Sequence, residues 1–294
     1  MTDGPLTGAH PTGTPVPGAS FSLLLPVYRG DTAAHFLKAF TTSVQGQTLP
    51  PSEVVIVQDG PIDAALAAEI GRVVAASPVP VVHHVLERNV GLAKALTEGL
   101  ALCAHDIVAR MDADDISLPG RFAAQVPLID GGLDLVGTGM LEFLDEAGRI
   151  VGRRVPRTGQ AEIERYARFH DPFSHPTVVY RRSAVSAAGG YQSLGMMEDY
   201  WLFARMIAAG ALVDNIPDPL VMYRVGDGAY ARRGGRAQWD SELMLQKALR
   251  RIRFTTRGQY LRNVAVRGLY RYVPEPVRRF AYRKFIARGG ALSE

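Results

Sequence analysis

The sequence predicts an α/β fold in which a mostly parallel central sheet is flanked by helices. Two observations lead to this prediction. Short apolar runs alternate with amphipathic helical patterns four times within residues 21–115, as in chains built from βαβ units. The central runs are apolar at nearly every position, which is typical of strands covered by helices on both faces. A helical extension is expected to follow this domain at the C-terminus.

The first half of the chain supplies four predicted strands, at residues 21–27, 53–57, 79–86 and 106–109. Helical patterns between them cover residues 31–44, 63–76 (with Asp63 as N-cap) and 90–104. In open parallel sheets, ligands bind beyond the carboxyl ends of the strands. Polar side chains follow each of the four runs, and they are therefore candidate ligand-binding residues, although helix caps or turn residues would explain some of them. They are Tyr28 and Arg29, Asp59, Arg88 and Asn89, and Asp112 and Asp114.

The second half of the sequence predicts a further set of helices and strands. Helices are expected at residues 121–129, 161–169, 196–209 and 239–253, and strands at residues 133–140 and 212–216. Residues 142–155 alternate in hydropathy around Glu146-Ala147-Gly148, which predicts a hairpin. Residues 220–224 lead into a loop at 225–228.

Composition divides the chain of 294 residues into three parts. Residues 1–20 hold four Gly, four Pro and four Thr, which predicts a disordered lead-in. Residues 21–230 form the predicted domain, and residues 231–294 form a basic, aromatic-rich helical extension. The single cysteine, Cys103, excludes a disulfide framework and a cysteine-rich metal site, and we expect it to be buried.

An acidic cluster, Asp112-Ala113-Asp114-Asp115, directly follows the fourth predicted strand. Carboxylates at this density repel one another unless a cation lies among them, and Mg²⁺ or Mn²⁺ prefers one or two carboxylates plus phosphate oxygens. The alternative is a solvated acidic turn that caps the next helix. The chain has neither a Gly-x-Gly-x-x-Gly loop after the first strand nor a P-loop motif. Any bound phosphates would therefore have to be held by a metal ion.

Two polar positions in the second half have both structural and functional interpretations. His175 precedes a proline near a predicted strand, where it is either a structural hydrogen-bonding residue or a substrate contact. Glu198 and Asp199 open a predicted helix, whose dipole favours the ionised carboxylate. They are either an ordinary acidic helix start or functional groups.

Six short stretches occur together between about residues 21 and 225, in the order found in one enzyme family. The chain resembles the bacterial family 2 glycosyltransferases of surface-polysaccharide type, which have the Rossmann-like GT-A fold. The matching stretches are Leu25-Pro26-Val27-Tyr28, Val57-Gln58-Asp59-Gly60, residues 88–96, residues 109–115, His175-Pro176-Thr177-Val178 and Glu198-Asp199-Tyr200.

The resemblance implies an inverting, metal-dependent hexosyltransferase. Such an enzyme moves a sugar from a nucleotide-diphosphate sugar, most often a UDP-sugar, to a saccharide or lipid-linked acceptor in surface polysaccharide or glycolipid synthesis. Asp114 and Asp112 would hold Mn²⁺ or Mg²⁺, and Asp199 would be the catalytic base. Asp59 would accept a hydrogen bond from the uracil ring. The implied donor-binding residues are Pro26, Val27, Tyr28, Asp59, Arg88, Asn89, Arg110, Asp112 and Ala113. The implied acceptor or diphosphate contacts are His175, Glu198, Trp201, Tyr223 and Arg224.

The C-terminal extension is strongly basic. Residues 250–294 hold twelve Arg or Lys and two Glu, a balance of +10 in a chain whose net charge is +4. Arginines interleaved with aromatic residues suit an anionic membrane surface, and a plain pair of C-terminal helices is the alternative. No nucleic-acid-binding motif is present. No window reaches the ~20 apolar residues needed to cross a bilayer. We therefore expect a cytoplasmic protein, peripheral at the inner face of the plasma membrane.

Two other functions are compatible with parts of this pattern. A sugar-nucleotide pyrophosphorylase shares a similar βα half, but it normally has a Gly-rich, Lys/Arg-bearing loop where this chain has Leu25-Pro26-Val27-Tyr28. A catalytically inactive nucleotide-sugar-binding protein would bind the nucleotide with metal but without turnover. The presence of Asp112, Asp114 and Asp199 favours the active transferase.

Overall fold

A computed structural model of the chain describes residues 19–144, 149–225 and 236–272. Its first part alternates strands and helices, as the apolar periodicity predicts. The elements are β1 (Phe21–Tyr28), α1 (Ala33–Val44), β2 (Glu53–Asp59), α2 (Ala64–Ala76), β3 (Val81–Val85), α3 (Leu92–Leu102), β4 (Ile107–Arg110), β5 (Ile116–Ser117) and α4 (Arg121–Asp130). The Asp63 side chain caps α2 by accepting a hydrogen bond from the Leu66 amide at 2.7 Å, as predicted.

The second part contains the two longest described strands and the C-terminal helices. They are β6 (Leu135–Phe143), β7 (Ile150–Arg154), α5 (Gln160–Ala167), a 3₁₀ turn (His175–Thr177), β8 (Val179–Arg181), α6 (Arg182–Ala187), α7 (Glu198–Ala208), β9 (Val213–Arg224), α8 (Arg236–Arg251) and α9 (Arg257–Tyr272). The two separate segments expected at 212–216 and 220–224 form one strand, β9. Its pairing with β6 continues, with register shifts, past Pro217 and Pro219.

The described strands form one sheet in the order β3-β2-β1-β4-β8-β6-β9-β5, with β7 paired to β6. The pairs among β1, β2, β3 and β4 are all parallel. The C-terminal half is mixed, because β8 runs antiparallel to both β4 and β6, whereas β6 and β9 are parallel. The parallel order is thus concentrated in the half that carries the βα repeats, and the carboxyl ends of β1, β2 and β4 lie side by side.

The core lies on both faces of this sheet. Leu24 and Val55 face one apolar cluster, together with α3, α7 and α8. Leu23 and Val54, their neighbours along the strands, face the other cluster, together with α1, α2 and α4. This alternation explains why β1 and β2 are apolar at nearly every position. Cys103 is buried in the first cluster, as expected.

Several sequence-based expectations lie outside the described residues. These are most of the lead-in at 1–20, the hairpin turn at 145–148, the loop from 226 onwards and the tail from 273 to 294. Within the described ranges, no helix is both long enough and apolar enough to cross a membrane.

Candidate active site

The ends of β1 and β2 each carry a carboxylate that organises the following loop. Asp31 is 8% exposed, and its Oδ2 accepts a hydrogen bond from the Tyr28 amide at 2.8 Å, which folds the chain back after β1. The Tyr28 side chain is half exposed beside this turn. Burial and, to a smaller extent, the negative charges of Asp114 and Asp112 raise the pKa of Asp31 to about 7. Asp31 therefore lies close to the acidic cluster that follows β4.

Asp59, at the end of β2, holds the loop that precedes α3. Its carboxylate accepts hydrogen bonds from the Val90 amide at 2.6 Å, the Asn89 side chain at 2.9 Å and the Gly91 amide at 3.0 Å. Gly60 has a φ of +85°, and a Cβ there would lie 2.4 Å from the Asn89 nitrogen. The β2 end and the 88–91 loop therefore touch through their backbones. Asp59 and Asn89 come together as the sequence predicted, and Arg88 lies exposed on the same loop.

Arg110, the last residue of β4, is the central cation of the site. Its guanidinium is 1% exposed and pairs with both carboxylate oxygens of Asp112. Burial lowers the pKa of Arg110, but the charge and hydrogen bonds of Asp112, together with smaller contributions from Tyr191 and Asp115, outweigh it, so that the net pKa is raised. The backbone carbonyl of Arg110 accepts a hydrogen bond at 2.6 Å from Arg121, a second buried arginine. This hydrogen bond from Arg121 fixes the turn that carries the acidic cluster.

Asp114 and Asp115 are tied to the end of β9 by Arg224. The Arg224 amide donates to Asp115 Oδ1 at 2.8 Å, and Arg224 Nε donates to the Asp114 carbonyl at 3.0 Å. Asp115 is fully buried, and its Oδ2 has no hydrogen-bond partner within the described part of the chain. Burial and repulsion by Asp112 raise the pKa of Asp114 to about 6. Asp115 acts as an internal anchor, whereas the Asp112 and Asp114 side chains are partly accessible.

These carboxylates fit a divalent cation bound with a diphosphate. The described residues contain no group of three or more His, Cys, Asp or Glu side chains arranged to hold a metal ion. Asp112 and Asp114 supply two carboxylates, which suit Mg²⁺ or Mn²⁺ when phosphate oxygens complete the coordination. The mutual repulsion that raises the Asp114 pKa is the interaction that such a cation would relieve.

A second acidic group lies at the start of α7. Asp199 Oδ1 accepts a hydrogen bond from the Tyr200 amide at 2.8 Å, and Glu198 Oε2 is buried without a hydrogen-bond partner in the described ranges. Burial raises the pKa of Asp199, and the Arg110 charge opposes this shift. Asp171 lies half-buried near Asp199; burial and the Asp199 charge raise its pKa well above that of an ordinary aspartate. Two carboxyls therefore share this part of the site.

His175 belongs to a buried hydrogen-bonded chain of side chains. Its Nε2 lies 2.9 Å from the Tyr191 hydroxyl, which lies 3.4 Å from the Tyr180 hydroxyl. Burial, followed by the nearby Arg110 charge, lowers the pKa of His175 well below its ordinary value. The neutral ring therefore serves as a hydrogen-bonding partner in the wall next to Arg110.

Several predicted site residues have side chains that pack against or hydrogen-bond to other parts of the protein. Val27 and Ala113 are 1% and 3% exposed within the apolar core, and Pro26 is also buried, so contacts from Val27 and Ala113 to a ligand would have to run through the main chain. The Trp201 indole donates to the Gln192 side chain at 3.0 Å, and the Arg205 guanidinium lies over its ring. Tyr223 lies under the Arg154 guanidinium on the β6–β7–β9 side of the sheet.

Sequence reasoning missed three residues that shape this site and gave a fourth no role of its own. Asp31, Asp171 and Tyr191 lie in loops without a motif, and Asp115 was predicted only as part of the acidic cluster. Asp31 is two residues after Arg29, just beyond the first predicted strand, whose carboxyl end was expected to bind a ligand. Its position at that strand end was therefore the signal by which the sequence could have identified Asp31. The places of Asp171 and Tyr191 depend on how distant segments pack.

Comparison with known proteins adds independent observations. The model of the family described as Glycosyl transferase family 2 matches residues 22–189. The chain is 37% identical over 269 residues to the amylovoran biosynthesis glycosyltransferase AmsE of Erwinia amylovora, which covers 90% of this chain and 98% of that protein. It is 30% identical over 271 residues to the UDP-Gal:α-D-GlcNAc-diphosphoundecaprenol β-1,3-galactosyltransferase of Escherichia coli, covering 91% and 97%.

Solved structures show the same fold at low sequence identity. Residues 1–349 of Staphylococcus aureus TarS, in complex with UDP-GlcNAc, match 91% of this chain and 81% of that chain, with a TM-score of 0.65 at 16% identity. The mannosyltransferase PcManGT of Pyrobaculum calidifontis, in complex with GDP-Man and Mn²⁺, matches 95% and 80%, with a TM-score of 0.60 at 17% identity.

Proposed function

The chain belongs to glycosyl transferase family 2, and we therefore propose that it transfers a sugar from a nucleotide-diphosphate sugar to a hydroxyl acceptor during assembly of a surface polysaccharide or glycolipid. The fold is that of the GT-A glycosyltransferases. Membership of this family sets aside the pyrophosphorylase alternative. A UDP-sugar is the favoured donor, since one relative is named for UDP-Gal and one structural neighbour holds UDP-GlcNAc.

The observation that carries this proposal is the position of Arg110 between two acidic groups from distant parts of the chain. Asp112 pairs with its guanidinium directly, and the Arg110 charge also acts on Asp199, 87 positions after Asp112 in the sequence. A donor site at Asp112 and Asp114 and an acceptor base at Asp199 would thus share one buried cation. A glycosyl transfer needs donor-side and acceptor-side groups close to each other, because the leaving diphosphate and the attacking hydroxyl meet at one anomeric carbon.

The proposed chemistry is a single displacement with inversion. Asp199 takes the proton of the acceptor hydroxyl while that oxygen attacks the anomeric carbon and the bond to the β-phosphate oxygen breaks. Burial raises the Asp199 pKa, which makes the carboxylate a stronger base, while the hydrogen bond from the Tyr200 amide and the Arg110 charge both oppose the rise. A divalent cation held by Asp114 and Asp112 would stabilise the charge that develops on the leaving diphosphate.

The acceptor side of the proposal includes a lipid surface. Leu261, Val266 and Leu269 of α9 are 65%, 54% and 72% exposed and lie on one helix face. Arg257 and Arg262 are exposed on the same helix. We assign this apolar, arginine-flanked face to an anionic membrane surface, because the positive balance of residues 250–294 is complementary to acidic lipid headgroups. The E. coli relative, which is named for a diphosphoundecaprenol-linked acceptor, supports a lipid-linked acceptor here.

Co-sedimentation with vesicles tests the membrane surface. The full chain should pellet with vesicles that contain phosphatidylglycerol and remain in solution with phosphatidylcholine vesicles. The triple variant L261Q/V266Q/L269Q should lose at least about tenfold in vesicle affinity. A truncated variant that ends at residue 272 tests this face in the same assay without the tail beyond it. Unchanged pelleting of the triple variant would contradict the assignment.

Release of nucleoside diphosphate tests the enzymatic proposal. UDP-, GDP- and dTDP-sugars are incubated with the protein in Mn²⁺ or in chelator, with and without a polyprenyl-diphosphate-linked GlcNAc acceptor. We expect one UDP-sugar to be turned over in Mn²⁺ only. Metal-dependent UDP binding without release from any donor would favour the inactive sugar-nucleotide-binding protein. Turnover that persists unchanged in chelator would contradict the metal-dependent mechanism.

A further inference from the structure

The last helix in the described part of the chain, α9, donates hydrogen bonds to the end of α5. The final carbonyls of an α-helix have no partner within the helix and must be satisfied from outside. Here three consecutive carbonyls at the end of α5 each accept a hydrogen bond from a distant side chain. The Tyr200 hydroxyl donates to the Ala167 carbonyl at 2.7 Å, Asn263 Nδ2 to the Arg168 carbonyl at 2.8 Å, and Arg267 Nη2 to the Phe169 carbonyl at 2.5 Å.

The donors from α9 are themselves held by buried polar side chains of α8. Arg267 forms an ion pair with Glu242, which is 2% exposed. Asn263 also donates to Gln246 Oε1 at 3.0 Å, and Gln246 donates to Glu242 Oε1 at 3.0 Å. The four side chains form a connected network with defined directions, which we call the α8–α9 clamp (Glu242, Gln246, Asn263 and Arg267). A buried ion pair seldom stabilises a fold more than apolar side chains of similar volume would. The presence of this hydrogen-bonded network therefore calls for an explanation other than stability.

The clamp lies directly behind the acceptor-side carboxyls. Tyr200, whose hydroxyl meets the end of α5, is the residue after Asp199, and the Arg267 guanidinium carbon lies 6.0 Å from its ring centroid. The loop that leaves the clamped carbonyls carries Asp171. The charged groups that act on Asp171 are Asp199 of α7, Arg267 of α9 and Arg154 of β7.

We propose that Asn263 and Arg267 are positioning residues, which hold Asp171 and Asp199 in the geometry needed for proton removal from the acceptor. The proposal rests on the proposed function of Asp199 as the base. The clamp holds the start of the 168–175 loop through the Arg168 and Phe169 carbonyls, and it contacts the start of α7 through the Arg267 guanidinium over the Tyr200 ring. The C-terminal helices are thereby part of the acceptor site, in addition to any contact that their outer face makes with lipid.

Substitution of Arg267 tests this proposal, and Lys247 supplies the control. Lys247 is an exposed cation on α8, next to Gln246 in the sequence, and it donates to none of the three carbonyls. Full-length R267M, R267K, N263A and K247M are compared in three measurements: turnover of the UDP-sugar that the wild type hydrolyses, UDP affinity in Mn²⁺, and amide hydrogen exchange. N263A provides a smaller change in case R267M does not fold.

We expect R267M and N263A to lower kcat at least about tenfold, because small displacements of a catalytic group cost large factors in rate. UDP affinity should stay within about twofold, R267K should recover part of the rate, and K247M should resemble the wild type. Equal losses of kcat and UDP affinity, or a wild-type kcat in R267M and N263A, would overturn the proposal.

Amide hydrogen exchange measures the positioning role independently of turnover. R267M should accelerate exchange at residues 168–175 and at the start of α7, while residues 107–115 keep their wild-type rates. If the wild type turns over no donor but this local acceleration is seen, the positioning role stands and the proposed function fails. Unchanged exchange in these segments would refute the positioning role directly.

Discussion

Asp59 provides the sharpest prediction about what holds the donor side of the site together. Its buried carboxylate accepts three hydrogen bonds, and two of them come from the Val90 and Gly91 amides. In D59N one oxygen becomes an amino group. The better orientation keeps the amide oxygen on Asn89 and Gly91 and turns the amino group toward the Val90 amide, so that two donors face each other. At least one charge-assisted bond is lost and a backbone amide is left unsatisfied.

The cost follows from these contacts. An unsatisfied buried donor costs about 1–3 kcal/mol, and the loss of charge weakens the remaining bonds, so we expect about 2–3 kcal/mol in total. For a domain of this size that corresponds to a fall in Tm of roughly 5–10 °C.

Thermal unfolding followed by circular dichroism measures this change. D63N is the matched control, because Asp63 accepts a single bond from the Leu66 amide and Asn is an equally good N-cap. Its Tm should change by no more than about 2 °C. If D59N melted at the wild-type temperature, or if D63N fell as far, the reasoning about the Asp59 carboxylate would be wrong.

Three further predictions concern the proposed base Asp199, its titration and the β2 turn. D199N should lower turnover about 10²- to 10⁴-fold with UDP affinity in Mn²⁺ nearly unchanged; a parallel loss of binding would argue against a base. Since burial raises the Asp199 pKa, the base is protonated at a higher pH than an exposed aspartate, and kcat should fall on acidification with a midpoint above about 4. A flat kcat–pH profile down to about pH 4.5 in folded protein would contradict this. G60A should destabilise the chain by at least about 1–2 kcal/mol, because φ is +85° and the new Cβ would meet the Asn89 backbone; an unchanged Tm would refute it.

The sequence predicted the N-terminal half of the fold because the signals there are local. The runs that became β1, β2 and β4 are apolar on both faces, and the structure covers both faces. The capped start of α2 and the buried Cys103 followed from nearby residues alone. The mixed half was harder to predict, because β9 continues past two prolines that normally indicate the end of a strand.

The candidate site shows the same difference between local contacts and contacts between distant residues. The pairing of Arg110 with Asp112 joins residues two apart, within a stretch whose function was predicted. The bond from the Arg224 amide to Asp115 joins residues 109 apart, and it depends on β9 returning beside β5. Arg267 belonged to a tail whose charge suggested a surface, yet it pairs with a buried glutamate. Such partners follow from tertiary packing, which periodicity and motifs do not encode.

Calorimetric titration with UDP asks whether the carboxylates after β4 bind a nucleotide through a metal ion, on which the proposed donor site depends. Wild-type protein should bind UDP at least about tenfold more tightly in Mn²⁺ than in chelator, a difference of about 1.4 kcal/mol or more. D114N should abolish that difference while keeping the wild-type Tm within a few degrees. Equal UDP affinity in Mn²⁺ and in chelator, or an undiminished Mn²⁺ effect in D114N, would contradict a metal-dependent donor site at Asp112 and Asp114.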